Sequence, residues 1–287
     1  MKEERGERRE ERGTGRENRD TRYEVRGTKI HWYDRLWAAF IFFTRLPFWR
    51  LYQPPQQAYN SVVEWWPLTG WLTGGTMAAI IFFNSQFSIL NYPLSILLAI
   101  IARILITGAL HEDGLADFFD GFGGGGTNRE RILAIMKDSH IGTYGVLGLI
   151  LYVGLLYLCL YNLPPHIAAM TVLAADPYAK MLSAQMTQMM PYARTMETSK
   201  AHTVYRRMSI TSGLLLAVQG LLPMGIYIWL NSPSSWEWLL FAPCLVMYGL
   251  YLFVWRRLRG YTGDCCGAFF LLIELSVYLV LAADFRG

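Results

Sequence analysis

Charge is scarce in this sequence. Asp, Glu, Lys and Arg make up 17% of its 287 residues, against roughly a quarter in an ordinary soluble domain. Much of that charge is local, since 11 of the 26 basic and 9 of the 22 acidic residues lie in the first 35. The remainder is strongly apolar: 53% of the chain is hydrophobic and its mean hydropathy is +0.23. A soluble globule is excluded. Cysteine is also sparse. Cys159, Cys244, Cys265 and Cys266 have no C-x-x-C spacing, so neither a zinc ribbon nor a disulfide framework is supported. Cys265 and Cys266 are expected to pack as small hydrophobes. The net charge of +4 and pI of 8.8 come without a basic cluster in a nucleic-acid-binding motif, so no nucleic-acid partner is expected.

Residues 1–35, interrupted by Gly6, Gly13, Gly15 and Gly27, bury too little to offset ordering entropy and are expected to be a disordered polar tail. The tail has no apolar h-region and is too acidic for a transit peptide. Residues 36–287 then form a single transmembrane domain. Its first segment, 36–49, is shorter than a span and contains Arg45 and Pro47, which places it at the interface or as a re-entrant element. Seven longer apolar segments follow, near 65–83, 93–110, 141–161, 166–190, 209–230, 236–255 and 265–283. In lipid each must satisfy its own backbone, so the expected fold is an all-α polytopic bundle of about seven transmembrane helices.

Basic residues occupy alternate connections: the N-terminal region, 111–140, 191–208 and 256–264, but not 84–92, 162–165 or 231–235. This alternation puts the N-terminus and the basic loops on the cytoplasmic side of a cytoplasmic membrane. Trp65, Trp66, Trp236, Trp238 and Trp255 fall at predicted span ends, as in an aromatic belt.

The densest chemistry is His111-Glu112-Asp113-Gly114-Leu115-Ala116-Asp117-Phe118-Phe119-Asp120-Gly121, four carboxylates directly after an apolar span. If the span continues as a helix, Asp113, Asp117 and Asp120 lie within about 60° of one face. Three carboxylates on one stripe call for a hard cation, such as Mg²⁺, Mn²⁺ or Ca²⁺. Glu112 is a further candidate ligand, although it lies about 100° off the stripe, and His111 is roughly opposite it. A solvated acidic face explains the cluster less well, because the acids would sit at the unfavourable C-terminal end of the preceding helix and close to the bilayer.

Gly121-Phe122-Gly123-Gly124-Gly125-Gly126 lacks the Lys-Ser/Thr of a P-loop, and a flexible lid and a phosphate cradle remain equally open. Arg129, Arg131 and Lys137 could clamp a diphosphate or simply set topology. Asp138 is a candidate general base at the same membrane face. Within the spans, Asp176 and Lys180 stand at i, i+4 and can pair with each other, while Arg103 is expected to make a bundle contact. Asp264 could join the polar site from far along the chain.

In these residues the sequence resembles the cobalamin synthase family, the adenosylcobinamide-GDP ribazoletransferases. The resemblance rests on Phe43-Thr44-Arg45-Leu46-Pro47, the blocks at 108–121 and 131–146, Pro191-Tyr192-Ala193-Arg194, and Tyr261 to Ala268, and it covers about residues 36–284. Family members often carry a Gly-rich segment after Arg194, where this chain reads TMETSKA. The resemblance implies a Mg²⁺-dependent inner-membrane enzyme with adenosylcobinamide-GDP and α-ribazole, or its 5'-phosphate, as partners. GMP would be released and adenosylcobalamin or its 5'-phosphate formed. With that reaction, the residues are expected to divide into metal ligands Glu112, Asp113, Asp117 and Asp120, catalytic Asp138 and His111, and substrate contacts Arg129, Arg131, Lys137, Arg194 and Asp264. A homo-oligomer is compatible with the sequence, which contains nothing that sets the oligomeric state. Two other readings compete. A CDP-alcohol-type phosphotransferase would also use aspartates and Mg²⁺, but the Ala-Arg that follows Asp-Gly in its motif is absent, since Ala116 precedes Asp117. A cation transporter would route ions past Asp176, Lys180 and Glu274, yet the densest acids lie at one face and not at the midplane.

Overall fold

The structure, a computed structural model, describes residues 30–194 and 205–284. Most of the expected tail and the TMETSKA segment lie outside the described residues. The helices are α1 (Trp32–Phe43), α2 (Trp66–Phe87), α3 (Tyr92–Thr107), α4 (Leu110–Gly124), α5 (Arg129–Lys137) and α6 (Thr143–Tyr161), followed by α7 (Pro165–Ala184), α8 (Met186–Met189), α9 (Ile210–Asn231), α10 (Trp236–Leu258) and α11 (Gly263–Asp284). Short 3₁₀ segments at Phe48–Arg50 and Gln56–Trp65 join α1 to α2. Among the described residues there is no strand, only a single bridge between Tyr192 and Tyr261. The all-α class is as expected.

Helix α6, α9, α10 and α11 are each long and apolar enough to cross a membrane, and α3 with α4 form a fifth candidate if that bent pair is one span. The protein is therefore a multi-pass membrane protein. Of the seven expected segments, the two on α2 and α7 have the length, 22 and 20 residues, but not the apolar composition. Glycine and threonine dilute α2, and Asp176 and Lys180 interrupt α7. These two helices pack most extensively on each other, and the polar residues explain how. Gly70 and Gly74 let the backbones approach, since a Cβ on Gly70 would lie 2.6 Å from Asp176 Oδ1 and one on Gly74 would lie 2.6 Å from Val172 O.

The intramembrane charges are compensated within the bundle. Asp176 pairs with Lys180 at 2.6 Å, and Thr73 donates to Asp176 at 2.6 Å while accepting from Lys180 at 2.9 Å. Arg103 grips both oxygens of Glu274 at 2.8 and 2.7 Å and donates to Tyr152 at 2.6 Å. Tyr278 completes the Glu274 shell at 2.7 Å. Breaking one partner of such a buried pair leaves an uncompensated charge, which is why these residues act as structural cross-links between α3, α6 and α11. Helix α11 lies at the centre: 78% of its apolar stretch is buried inside the protein, against 17–33% for α6, α9 and α10.

The N-terminal boundary differs from the sequence reading. Residues 32–35, assigned to the tail, form the first turn of α1. Asp34 accepts from the His31 amide at 2.7 Å, and Arg35 reaches Glu64 at 3.1 Å, so these polar residues have partners that the sequence pattern does not reveal. At 12 residues α1 is too short to span. It stops at Thr44, and the Arg45 amide then bonds Ile106 O at 2.6 Å, fastening this segment to the end of α3.

Candidate active site

The acidic residues do not extend the preceding span. Helix α3 ends at Gly108 (φ 64°) and Ala109 (φ 56°), both left-handed, with the Ala109 amide returning to Ile104 O at 2.9 Å. Helix α4 then departs at 89°. A left-handed alanine is disfavoured by roughly 1–2 kcal/mol, so surrounding contacts hold this corner. One is Arg45, whose side-chain stem packs where a Gly108 Cβ would be. The consequence corrects the helix-end argument. Glu112 and Asp113 stand in the first turn of α4, where exposed amides favour negative charge, and not at the C-terminal end of α3.

Along α4 the carboxylates part company. Asp113 is exposed, Asp117 is half-buried one turn on, and Asp120 is buried. Asp120 accepts from the amides of Gly142 at 2.6 Å and Gly145 at 2.8 Å, so both its oxygens cap the N-terminus of α6. Glu112 is buried with Oε2 lacking a hydrogen-bond partner. Among the described residues, no group of three His, Cys, Asp or Glu is placed to hold a metal ion. The helical stripe exists, but α11 packs on α4 near Gly114 and α6 packs near Asp120, so the two ends of the stripe serve different neighbours.

A cavity of about 150 Å³ lies beside Asp113 and is also lined by Asp264, Arg194, His111, Trp66 and Phe43. Three distant segments converge here. The 191–194 segment is zipped to 260–262 by Tyr261 N to Pro191 O at 2.9 Å and Ala193 N to Tyr261 O at 2.8 Å. That pairing needs Gly260, whose Cβ would come 2.7 Å from Pro191 O. It carries Arg194 to Asp264, with Nη2 to Oδ2 at 3.9 Å, while the same nitrogen donates to Leu133 O at 3.2 Å. Helix α11 approaches α4 closely through Gly114 and Gly267: a Cβ on Gly114 would lie 3.0 Å from Asp264 O, and one on Gly267 would lie 3.2 Å from His111 Cα. His111 is 3% exposed, its Nε2 has no hydrogen-bond partner, and its ring stacks with Trp66 at 5.8 Å and 18°.

Other sequence candidates fall elsewhere. Arg129 donates to Leu258 O at 2.9 Å and Ala193 O at 2.7 Å, tying α5 to the ends of α10 and the 191–194 segment. Arg131 and Lys137 are exposed and do not line the cavity. Asp138 caps the end of α5 on the surface, bonded to the His140 amide at 3.0 Å and ring at 2.6 Å. The bond to His140 holds its carboxyl below the usual carboxylate range. The glycine run is neither lid nor cradle over most of its length, because Gly121 to Gly124 form the last turn of α4. A Cβ on Gly121 would lie 2.6 Å from Met136 Cγ, so close packing of α5 explains that glycine.

A family model described as cobalamin-5-phosphate synthase matches residues 35–282. The chain belongs to the cobalamin-5-phosphate synthase family. Two curated relatives named adenosylcobinamide-GDP ribazoletransferase show the extent of the likeness. The protein of Shewanella baltica (strain OS155) is 35% identical over 255 residues, covering 86% of this chain and 93% of the relative. That of Leptospira interrogans is 33% identical over 260 residues, covering 89% and 97%. No solved structure matches.

In this member of the cobalamin-5-phosphate synthase family, Asp113, Arg194, Asp264 and His111 are the sequence candidates that line the cavity, and its aromatic wall was not among the candidates. Trp66, taken for an aromatic-belt residue, is 2% exposed and stacks on Phe43 at 5.1 Å and 11°. Its indole cannot be at the lipid interface when Phe43, His111 and Phe270 enclose it. Tyr192 and Tyr205 complete the lining. Phe43 and Tyr192 lie inside the motif blocks that carry the family resemblance, a signal available without coordinates; Trp66 and Tyr205 lie outside them.

Proposed function

We propose that the chain is the enzyme that transfers adenosylcobinamide phosphate from adenosylcobinamide-GDP to α-ribazole or its 5'-phosphate, forming adenosylcobalamin or its 5'-phosphate and releasing GMP. The observation that carries this reading is the convergence of Asp113, Arg194 and Asp264 on one cavity. The names of the relatives favour adenosylcobinamide-GDP over a CDP-alcohol as donor, and two carboxylates and an arginine on one cavity favour substitution at a diphosphate over ion transport. The intramembrane charges a transporter would need are already paired with one another.

In the reaction, an acceptor hydroxyl attacks the phosphorus on the cobinamide side. The bond from that phosphorus to the bridging oxygen breaks, and GMP departs with the oxygen and its electron pair. Such transfers ask the protein mainly for alignment and charge neutralisation. Arg194 neutralises diphosphate oxygens, with Leu133 O and Asp264 orienting its guanidinium. His111, which lines the same cavity, is assigned the hydroxyl proton.

The residues fit a hard divalent cation of restricted kind. Asp113 and Asp264 supply oxygen donors to one cavity without forming a full cage, which suits Mg²⁺, an ion that takes one or two carboxylates and completes its shell with water and phosphate. Asp113 and Asp264 would hold it, with Asp117 one turn behind, and when bound it supplies charge neutralisation at the diphosphate. Asp120 is instead a positioning residue. We also place the protein in the cytoplasmic membrane, N-terminus and cavity loops inside, on the distribution of Lys and Arg.

The test is GMP release and corrinoid product formation by purified protein in detergent, given donor, acceptor and Mg²⁺. Asp113→Asn and excess EDTA should each reduce the rate about a hundredfold or more. Folded protein that makes no product with either acceptor, yet releases the nucleotide of another activated diphosphate, would overturn the assignment.

A further inference from the structure

The two ion pairs of the bundle core leave one buried carboxylate over. Arg103 is matched by Glu274 and Lys180 by Asp176, while Glu112, 7% exposed in the first turn of α4, has no ion pair of its own among the described residues. A buried charge without compensation is costly, so its surroundings must supply a partner. The packing of α6 on α4 leads from Glu112 to that partner. A Cβ on Gly145 would lie 3.0 Å from the carbonyl oxygen of Ala116, one turn after Glu112, and one on Gly148 would run into the Phe119 ring. Tyr152 stands one turn beyond Gly148 and accepts from Arg103 Nη2 at 2.6 Å. The Glu112 charge acts on both Tyr152 and Arg103.

Arg103 has one donor to spare. Its Nη1 is spent on the two Glu274 oxygens and its Nη2 on Tyr152, but Nε is buried without a hydrogen-bond partner. Glu112 Oε2 is the matching acceptor, likewise buried and unpartnered. An unspent donor and an unspent acceptor beside the same ion pair make the polar lining that a single internal water requires. We infer that Glu112 is a positioning residue: through one buried water it ties the first turn of α4 to Arg103, and so fixes His111 and Asp113 where they line the cavity. The sequence reading made Glu112 a metal ligand. Its neighbours on either side, His111 and Asp113, line the cavity and Glu112 does not, a division that the 100° step of the helix imposes on consecutive residues. The effect on the reaction rests on the proposed transferase activity; the link to Arg103 stands without it.

The experiment uses the full chain in detergent, with Glu112→Gln made in wild type and in a background carrying Arg103→Met and Glu274→Met. Thermal unfolding should show a drop of about 3 °C or more in wild type and less than about half of that in the apolar background, because members of one network do not act additively. At saturating substrates and Mg²⁺, kcat per folded protein should fall about tenfold, with the donor KM and the Mg²⁺ midpoint unchanged. If Glu112→Gln alone does not fold, it should fold in the background without Arg103, and failure there as well would overturn the link. Equal drops in both backgrounds would overturn it too. An unchanged kcat would reduce Glu112 to packing, and a Mg²⁺ midpoint raised about tenfold would make it a ligand; either result overturns the positioning role. Wild-type protein that releases no GMP would instead remove the transferase reading, while the unfolding comparison still decides the link to Arg103.

Discussion

Asp120 offers the sharpest separation between a metal ligand and a structural cap. Its carboxylate accepts from Gly142 N at 2.6 Å and Gly145 N at 2.8 Å, at the start of α6. Each hydrogen bond to a charged group contributes about 1.5–3 kcal/mol, and the α6 dipole adds a few tenths to about one. Gly142 is half-buried and Gly145 fully buried, so after Asp120→Ala water replaces the first bond more readily than the second. The expected loss is about 3 kcal/mol, a factor of roughly 150 in the folded-to-unfolded ratio. Asp120→Asn keeps one acceptor oxygen and loses the charge, and should fall about midway. Gly145→Ala removes no carboxylate but drives its Cβ into Asp120, and should also destabilise. Thermal unfolding in detergent measures all three, and titration of activity with Mg²⁺ measures metal demand on the folded fraction. The cap predicts lower stability with an unchanged Mg²⁺ midpoint. An Asp120→Asn protein as stable as wild type that needs about tenfold more Mg²⁺ would refute the reasoning and restore Asp120 as a ligand.

Three further outcomes are expected. Glu274→Gln leaves Arg103 uncompensated in the bundle core and should lower stability by about 3–5 kcal/mol, while Arg103→Met combined with Glu274→Met should recover much of that in the same unfolding assay. Gly114→Val wedges a branched side chain against Asp264, 3.0 Å from where a Cβ would lie; kcat should fall at least about tenfold while the melting temperature moves less than in Glu274→Gln. The Tyr52 hydroxyl donates to Asp34, and that bond, with the nearby charge, pushes its pKa up to about 12 from 10.0. Because the folded-state value is the higher one, its stabilising contribution is present below pH 10 and is lost as pH rises toward 12. The ultraviolet difference titration of wild type minus Tyr52→Phe should show one tyrosinate appearing near pH 12, and a midpoint near 10 would contradict the contact.

Local pattern explains why so much of the protein is legible before any coordinates. Hydrophobic runs, charge alternation and helical spacing are properties of neighbouring residues, so the all-α class, the apolar segments and the acidic stripe follow from the chain alone. Cys265 and Cys266 are buried at 0% and 6% exposure, as small hydrophobes should be. The blocks around Asp113, Arg194 and Asp264 also point to one family without saying how they meet. What the sequence does not contain is the partner of each side chain. Asp113, Asp117 and Asp120 look equivalent on a helical wheel, yet Asp120 is committed to amides more than 20 residues away while Asp113 faces a cavity shared with α11.

The sequence by itself determined a membrane-embedded helical chain with clustered carboxylates, because hydrophobicity and periodicity act over a few turns. Only the tertiary structure decided where the acids stand. The left-handed corner at Gly108 and Ala109 turned α4 by 89° and moved them to a helix N-terminus. The Tyr192–Tyr261 pairing brought Arg194 to Asp264, and the stacking of Phe43, Trp66 and His111 made an aromatic wall from residues that a linear reading assigned to three separate roles. Each of these is a contact between segments far apart in the chain, set by close packing and by the need of buried polar groups for partners.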